Sequence, residues 1–320
     1  MEISAKMVKE LRDKTGAGLM DAKKALQETS GDMNKAVDFL REKGLASVAK
    51  KQGRIAAEGV VEMLLTDDNK SGLVLEVNSE TDFVAKNNDF IDFVKNVAEV
   101  VLKEKPADVE ALLKLNYPNS SNTIEDILNE KVSVIGEKLS LRRFSIKEKS
   151  NGGVYGYIHG TRIAVLVVLE SDIETSKLEE LGKDISMQVA SMNPKYIARE
   201  DIDTDYIAHE REILLNQAIN ESEEEEKAGK KAKPREIIEK MVEGRLQKEL
   251  RDVCLLEQPF VKEPDMTVKA LVEKTAKELG GSIKIAEIER FEVGEGMEKR
   301  EEDFQAEVQK QMQGKWDIKE

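Results

Sequence analysis

Two neighbouring stretches of the sequence are the most informative, Leu73-Val74-Leu75-Glu76-Val77 and then Thr81-Asp82-Phe83-Val84-Ala85-Lys86-Asn87. The first has the composition of a buried strand, and the second places an aromatic ring beside a carboxylate where the chain leaves a sheet and enters a helix. Turns at the edge of a sheet are where a scaffold presents side chains to other molecules. Phe83 is therefore either an anchor for a partner or a plug for the protein's own core.

Length and composition describe a folded chain of several domains with an acidic surface. The 320 residues exceed one ordinary core, so we expect two or more domains. The net charge of −14 argues against a nucleic-acid-binding protein, because phosphate backbones are held by basic surfaces. One local basic stretch, residues 50–54, is either a basic patch or a flexible solvated linker, and we favour the linker.

The single cysteine and the apolar runs restrict the cellular environment. Cys254 excludes an intramolecular disulfide and a cysteine-based zinc site, and its apolar neighbours indicate a buried structural thiol. The N-terminus has no apolar signal core. The longest apolar run, Ile163 to Leu169, is far shorter than the roughly 20 residues of a membrane span. We therefore expect a cytoplasmic, soluble protein.

Residues 1–45 have the pattern of a compact bundle of three helices. Apolar residues recur at helical spacing in three segments, separated by Thr15-Gly16-Ala17-Gly18 and by Ser30-Gly31-Asp32. Asp32 is a natural N-cap for the third helix. Gly44 is placed to end that helix.

Beyond residue 55 the apolar period becomes that of strands, and one plan occurs twice. The first copy is predicted as strands at 59–65 and 73–77, a helix after Phe83, a helix near 125–136 and a closing strand at 141–146. The second copy is predicted as strands at 153–158 and 163–170, a helix around 178–191 and a closing strand at 288–293. We infer a duplicated α/β core unit.

The second copy contains an insertion at roughly 195–252. Its two amphipathic segments predict antiparallel helices with one narrow seam, which would form a coiled-coil arm. Pro234 would be the first residue of the second helix. We interpret the charged run Glu223–Lys233 as the solvated tip of this arm.

Five further side chains are candidates for contact with a partner. Leu19 and Met20 lie in the first loop of the bundle, where they either pack on the bundle or contact a partner. His159 lies in the hairpin turn of the second copy and either caps local backbone groups or contacts a partner. Phe304 and Val308 share a narrow apolar stripe on a predicted C-terminal helix, which must dock on this protein or on a partner.

No motif for catalysis or nucleotide binding is present in the sequence. There is no Gly-x-x-x-x-Gly-Lys-Ser/Thr loop and no strand-linked Gly-x-Gly-x-x-Gly. Gly294-Glu295-Gly296 follows a closing strand and leads into acidic residues that would repel phosphate. His159 and His209 are the 2 histidines, and neither has a supporting catalytic motif. We therefore predict no enzyme activity, no catalytic residue, no cofactor and no bound metal.

Several strings, taken in order, resemble the bacterial elongation factor Ts family over essentially the whole chain. They are Thr15–Asp21 with Lys23–Leu26 and Gly31-Asp32, Thr81–Asn87, His159-Gly160, Lys240–Arg245, Gln258–Val261 and Arg290–Gly296. Each string is weak by itself, whereas the ordered set is specific.

The resemblance implies a guanine-nucleotide exchange factor for elongation factor Tu, the GTPase that carries aminoacyl-tRNA to the ribosome. Thr81, Asp82, Phe83 and Val84 would wedge into the GTPase and dislodge its magnesium ion, so that GDP leaves and GTP replaces it. Further binding surface would come from Leu19, Met20, His159, Phe304 and Val308. The chain would bind elongation factor Tu in its GDP-bound and nucleotide-free forms. It would contact neither a membrane nor, directly, a nucleic acid. The complex could also form a homodimer.

With the resemblance, the expected fold class is α+β. Its expected parts are an N-terminal three-helix UBA-like bundle with a linker (1–54), duplicated α/β core units with small antiparallel sheets (55–148, and 149–194 with 253–293), an inserted antiparallel coiled-coil hairpin (195–252) and a C-terminal helical module (294–320). The competing class is an adaptor whose bundle binds ubiquitin-like proteins. That class leaves Thr81–Asn87, the duplicated core and the arm unexplained.

Overall fold

The computed structural model describes residues 3–229, 231 and 233–298. It is an α+β protein, as the sequence predicts, with small sheets and many helices. Two compact units are present among the described residues. One contains the residues up to Val61, Leu75–Phe144 and those from Glu292, and the other contains Glu62–Val74 and Ser145–Phe291.

The N-terminal residues form three helices around a small core of their own. The helices are α1 (Ala5–Thr15), α2 (Leu19–Glu28) and α3 (Met33–Lys51). The side chain of Asp32 accepts hydrogen bonds from the backbone N–H groups of Asn34 and Lys35, which confirms it as the N-cap of α3. The core consists of buried small and branched residues, Val8, Leu11, Ala22, Ala25, Leu26 and Ala36.

Gly44 does not end the third helix, and this prediction is wrong. The helix continues to Lys51, and Gly44 lies buried inside it. A Cβ atom at position 44 would stand 3.1 Å from Ser133 Oγ, so the missing side chain permits a close approach of another helix. Glycine at a helix crossing and glycine at a helix end look alike in a sequence.

The stretch 50–54 is also not a solvated linker throughout. Lys50 and Lys51 complete α3, and Lys51 is buried with its ammonium group hydrogen-bonded to Ser47. The Nζ atom of Lys138 donates to the carbonyl oxygens of Gln52 at 2.7 Å and Arg54 at 2.9 Å. The segment is therefore attached to its surroundings through its backbone.

The elements of the first sheet and of its helices are β1 (Glu58–Leu65), β2 (Ser71–Ser79), α4 (Asp82–Ala85), α5 (Asn88–Glu104), α6 (Val109–Leu113), α7 (Ile124–Ile135) and β3 (Leu139–Glu148). The strands have the order β1-β2-β3, and the helices lie between β2 and β3 in the chain. Strand β2 is buried along its whole length, and α5 buries Phe90, Phe93 and Val97 on one face.

The second sheet has the order β4-β5-β8 and repeats the connectivity of the first. Strands β4 and β5 pair antiparallel from Gly153↔Leu169 to His159↔Ile163. The elements are β4 (Gly153–His159), β5 (Ile163–Ser171), α8 (Glu179–Met192), α11 (Val268–Leu279) and β8 (Ile283–Glu292). Helix α11, which the sequence analysis missed, precedes the closing strand as α7 does in the first sheet.

The insertion contains two helices that contact each other, α9 (Thr204–Lys227) and α10 (Arg235–Val253). Ion pairs join them at Arg211–Glu243 (2.9 Å) and at Arg245–Glu221 (2.7 Å). Pro234 is the N-cap of α10 and not its first helical residue. A short ribbon follows, formed by β6 (Pro259–Phe260) and β7 (Glu263–Thr267). Cys254, where α10 ends, is fully buried, as predicted.

Candidate partner-binding site

The stretch Thr81–Asn87 begins where the buried strand β2 ends. The hydroxyl of Ser79, the last residue of β2, donates to the carbonyl oxygen of Thr81 at 2.9 Å. Helix α4 is a single turn, and its residues Val84 and Ala85 are each only 7% exposed. The segment is therefore held on its inner side by the core beneath it.

Phe83 points away from that core. Its side chain is 81% exposed, which makes it the most exposed large hydrophobic residue of the described chain. Successive residues of a helix are rotated by about 100°, so burying Val84 and Ala85 directs Phe83 outward. The ring is therefore not a plug, and it is available to a partner.

Asp82 carries a negative charge next to this ring. Its carboxylate forms an ion pair with Lys86 Nζ at 2.6 Å, and both side chains are exposed. The hydrogen bond and charge of Lys86 lower the pKa of Asp82 below its ordinary value of 3.8. Exposed ion pairs of this kind stabilise a fold very little. The carboxylate can thus exchange Lys86 for a group on a partner.

Thr81 is held by a residue that the sequence analysis did not single out. Its hydroxyl donates to Glu137 Oε1 at 2.8 Å, and its backbone N–H donates to Glu137 Oε2 at 3.0 Å. Glu137 follows Gly136, the left-handed cap of α7. No local pattern reveals this contact, because the two residues lie 56 positions apart.

A second pair of contacts lies beside the first. The backbone N–H of Lys138 donates to Glu80 Oε1 at 2.5 Å, and Arg54 Nη1 lies 3.2 Å from the same oxygen. The turn between α7 and β3 therefore holds both Glu80 and Thr81, the two residues directly before Asp82.

A buried carboxylate lies further back on the same strand. The side chain of Glu76 is fully buried and accepts hydrogen bonds from Arg142, Arg143, Asn78 and the backbone N–H of Gly294. Burial alone would raise the pKa of Glu76, but these hydrogen bonds outweigh it and hold the pKa below 4.5. The Gly294 turn thus supplies a structural hydrogen bond to the strand that leads to Thr81.

The sequence predicts Leu19 and Met20 in a loop, and this prediction is wrong. They are the first two residues of α2, and their exposed fractions are 55% and 73%. Neither packs into the core of the three-helix bundle. Neighbouring exposed apolar residues at one helix end are typical of a contact surface.

His159 lies at the end of β4, in the other compact unit. Its Nδ1 atom is 3.0 Å from the hydroxyl of Tyr157, and the ring is exposed. Its other ring nitrogen is thus left for a further contact. Phe304 and Val308 lie outside the described residues.

Within the described part of the chain, no group of three or more His, Cys, Asp or Glu side chains is arranged to hold a metal ion. Also among these residues, no helix is long and apolar enough to cross a membrane.

Comparison with known proteins gives a consistent result. A family profile described as Elongation factor TS matches residues 80–295. The chain belongs to the elongation factor Ts family. Members of this family are guanine-nucleotide exchange factors for elongation factor Tu in translation elongation, and they are not enzymes with a catalytic site of their own.

Curated relatives named Elongation factor Ts match almost the full chain. The relative from Clostridioides difficile is 55% identical over 311 residues, which cover 97% of this chain and 99% of the relative. The relative from Clostridium novyi is 49% identical and covers 98% of this chain and 100% of its own length. The relative from Clostridium acetobutylicum is 48% identical, with coverages of 97% and 99%.

Proposed function

We propose that this chain releases GDP from elongation factor Tu by inserting Phe83 beside the magnesium ion of the GTPase. Thr81, Asp82 and Val84 hold and direct the ring, and dislodging the ion promotes replacement of GDP by GTP. The observation that carries this proposal is an 81% exposed phenylalanine on a helical turn whose inner residues are buried.

The chemistry of magnesium explains why a small wedge is sufficient. Mg²⁺ requires near-ideal octahedral geometry with ligands at about 2.0–2.1 Å, and it bridges the phosphates of a nucleotide to the protein. A phenyl ring that displaces the residues next to the ion by about 1 Å breaks that geometry. The phosphates of GDP then lose a major part of their attachment.

Exchange also requires a difference in affinity between the states of the partner. A factor that bound the GDP-bound and nucleotide-free forms equally well would shift no equilibrium. This chain must therefore bind the nucleotide-free form more tightly. Since coupling between two ligands is reciprocal, GDP or GTP must in turn weaken its binding.

The other candidate residues extend the contact surface in this proposal. Leu19 and Met20 at the exposed start of α2 hold the GTPase domain, and His159 adds contact from the second sheet. Phe304 and Val308 are assigned by the family resemblance to a C-terminal helix docked on the same domain. We assign no cofactor, no membrane and no direct nucleic-acid contact, and we place the protein in the cytoplasm.

The finer architecture is part of the same proposal. The α1–α3 bundle corresponds to a UBA-like domain, and α9 with α10 corresponds to a coiled-coil hairpin. We divide the chain at 1–54, 55–148, 149–194 with 253–293, 195–252 and 294–320.

An exchange assay tests the proposal. Elongation factor Tu is loaded with a fluorescent GDP analogue, and its release is followed after mixing with excess unlabelled GDP and with the full-length chain or the variant D82A/F83A. The proposal predicts strong acceleration by the parent chain and little by the variant. Equal acceleration by both proteins would show that the wedge assignment is wrong.

A further inference from the structure

Helix α4 cannot set its own direction. It consists of four residues, Asp82–Ala85, and an isolated helix of fewer than about 12 residues is only marginally stable in water. The direction in which Phe83 leaves the surface must therefore be imposed by the residues that hold the two ends of the turn and its buried side.

Thr81 stands at the N-cap position of this turn but does not cap it. A threonine at this position usually accepts a hydrogen bond from a backbone N–H of the first turn. Here Thr81 has the extended backbone of an N-cap, and its side chain makes no capping hydrogen bond. Its hydroxyl and its backbone N–H instead both donate to the carboxylate of Glu137, at 2.8 and 3.0 Å.

The two carboxylate oxygens of Glu137 thus accept hydrogen bonds from two donors of Thr81, and this pair of bonds fixes both the position and the orientation of Thr81. The residue before Thr81 and the residue after Glu137 are joined as well, since Lys138 N–H donates to Glu80 Oε1 at 2.5 Å. Arg54 forms an ion pair with the same oxygen of Glu80, and Lys138 Nζ donates a hydrogen bond to the carbonyl oxygen of Arg54 at 2.9 Å. We call the four residues Glu80, Thr81, Glu137 and Lys138 the clamp.

The clamp is connected to the bundle that carries Leu19 and Met20. Glu137 follows Gly136, the C-terminal cap of helix α7, and Arg41 of α3 forms an ion pair with Asp126 of α7 at 2.6 Å. The same two helices meet at Gly44 and Ser133, where the backbone of α3 approaches closely. Helix α7 therefore links the surface around Leu19 to the residue that holds Thr81.

We propose that Glu137 is a positioning residue for nucleotide exchange, which fixes the direction of Phe83 through Thr81. This inference rests on the proposed wedge role of Phe83 and adds a residue that does not itself enter the partner. Thr81, in turn, acts mainly by binding Glu137.

A positioning role affects the rate of GDP release more than the affinity for the partner. Displacing a reacting group by about 1 Å can lower a rate by about 100-fold. We therefore expect E137A to lower the maximum rate of GDP release by about 10-fold or more, because Phe83 then samples unproductive directions. The concentration giving half of the maximum rate should change far less, because the apolar contact surface is intact.

The test measures both parameters for full-length variants with elongation factor Tu. T81V removes the hydroxyl but keeps the shape, and T81S restores the hydroxyl. The inference predicts a lowered maximum rate for T81V and near-parental behaviour for T81S. E125A, an exposed carboxylate in the first turn of α7, is the matched control and should behave like the parent.

The double variant E137A/F83A separates positioning from general damage to the fold. If Glu137 acts through Phe83, removing it from the F83A chain has no further effect on the residual acceleration that F83A keeps above spontaneous GDP release, so the two changes are not additive. Additive effects, or an unchanged rate for E137A beside a lowered rate for F83A, would overturn the positioning role alone. An unchanged rate for F83A itself would overturn the proposed function, and the positioning role with it.

Discussion

Glu76 Oε1 accepts a hydrogen bond of 2.8 Å from the backbone N–H of Gly294, which joins two residues 218 positions apart in the chain. The same carboxylate binds Arg142 at 2.9 Å and Arg143 at 2.7 Å. The buried carboxylate of Glu76 thus connects β2, the strand that leads to the candidate site, with the closing strand β3 and with the turn after β8.

Replacing Glu76 by glutamine should destabilise the fold at neutral pH. The change removes the charge that faces two partly buried guanidinium groups, of which Arg143 also forms an ion pair with Glu295 at 3.4 Å. We expect it to cost about 2–3 kcal/mol of unfolding free energy. Urea unfolding at neutral pH measures it. E99Q, on the exposed side of α5, is the control and should unfold like the parent.

The Glu76 effect should also depend on pH. Its folded-state pKa is held below 4.5, so its stabilising contribution is present above the unfolded-state pKa and is lost as the pH falls through the folded-state pKa. The difference in unfolding free energy between the parent and E76Q should therefore shrink as the solution is acidified below that value. A difference that stays constant on acidification would show that Glu76 is not the charged group in the network.

Gly44 should tolerate no large side chain. A Cβ atom there would already stand 3.1 Å from Ser133 Oγ, so G44V must push α3 and α7 apart and should lower the unfolding free energy by about 1–3 kcal/mol. G244A is a matched change in helix α10, where a Cβ atom meets nothing within 4 Å. It should stabilise the protein slightly, because alanine favours a helix by about 1 kcal/mol over glycine. Thermal unfolding of both variants tests this: the unfolding temperature of G44V should fall below that of the parent, and that of G244A should not.

Cys254 should be unreactive in the native protein. It is fully buried, and burial raises the pKa of its thiol to about 11, so hardly any thiolate forms near neutral pH. Labelling with a thiol-specific disulfide reagent should be slow in native buffer and complete in urea. Rapid stoichiometric labelling of the folded protein would contradict the structure.

Helical periodicity and apolar strands were the parts of the fold that the sequence could predict. The stripe of Phe90, Phe93 and Val97 marks α5, because burial on one face imposes its period on the sequence. The prediction that Gly44 ends α3 is wrong, because the sequence does not distinguish a glycine that ends a helix from one that allows another helix to approach closely. The start of α2 is predicted too late, which assigns Leu19 and Met20 to a loop, since a helix start without a side-chain cap has no clear signal in the sequence.

The candidate site was predictable only in its exposed part. The sequence marks Phe83 as a candidate, because it is an aromatic residue just after a buried strand. The residues that position Phe83 have no comparable signal in the sequence. Glu137 contacts Thr81 across 56 positions, and a carboxylate after a helix resembles many others on an acidic surface. Only the folded arrangement brings such partners together.

Leu19 and Met20 should contribute to binding and not to folding. Both are more than half exposed, so L19A/M20A should leave the thermal unfolding temperature nearly unchanged. Burying their side chains against a partner would contribute about 25 cal/mol for each Å² of apolar area, so the double change should weaken binding by roughly tenfold or more. Titration calorimetry with nucleotide-free elongation factor Tu checks this. Unchanged affinity would remove these residues from the contact surface.

The wedge role of Phe83 is tested by stopped-flow measurement of GDP release from elongation factor Tu, with F83A and D82A as separate variants at saturating concentration. We expect F83A to nearly abolish the acceleration while the variant stays folded. We expect D82A to retain a larger part of the acceleration, because Asp82 directs the ring and does not displace the ion itself. Full acceleration by F83A would contradict the wedge role.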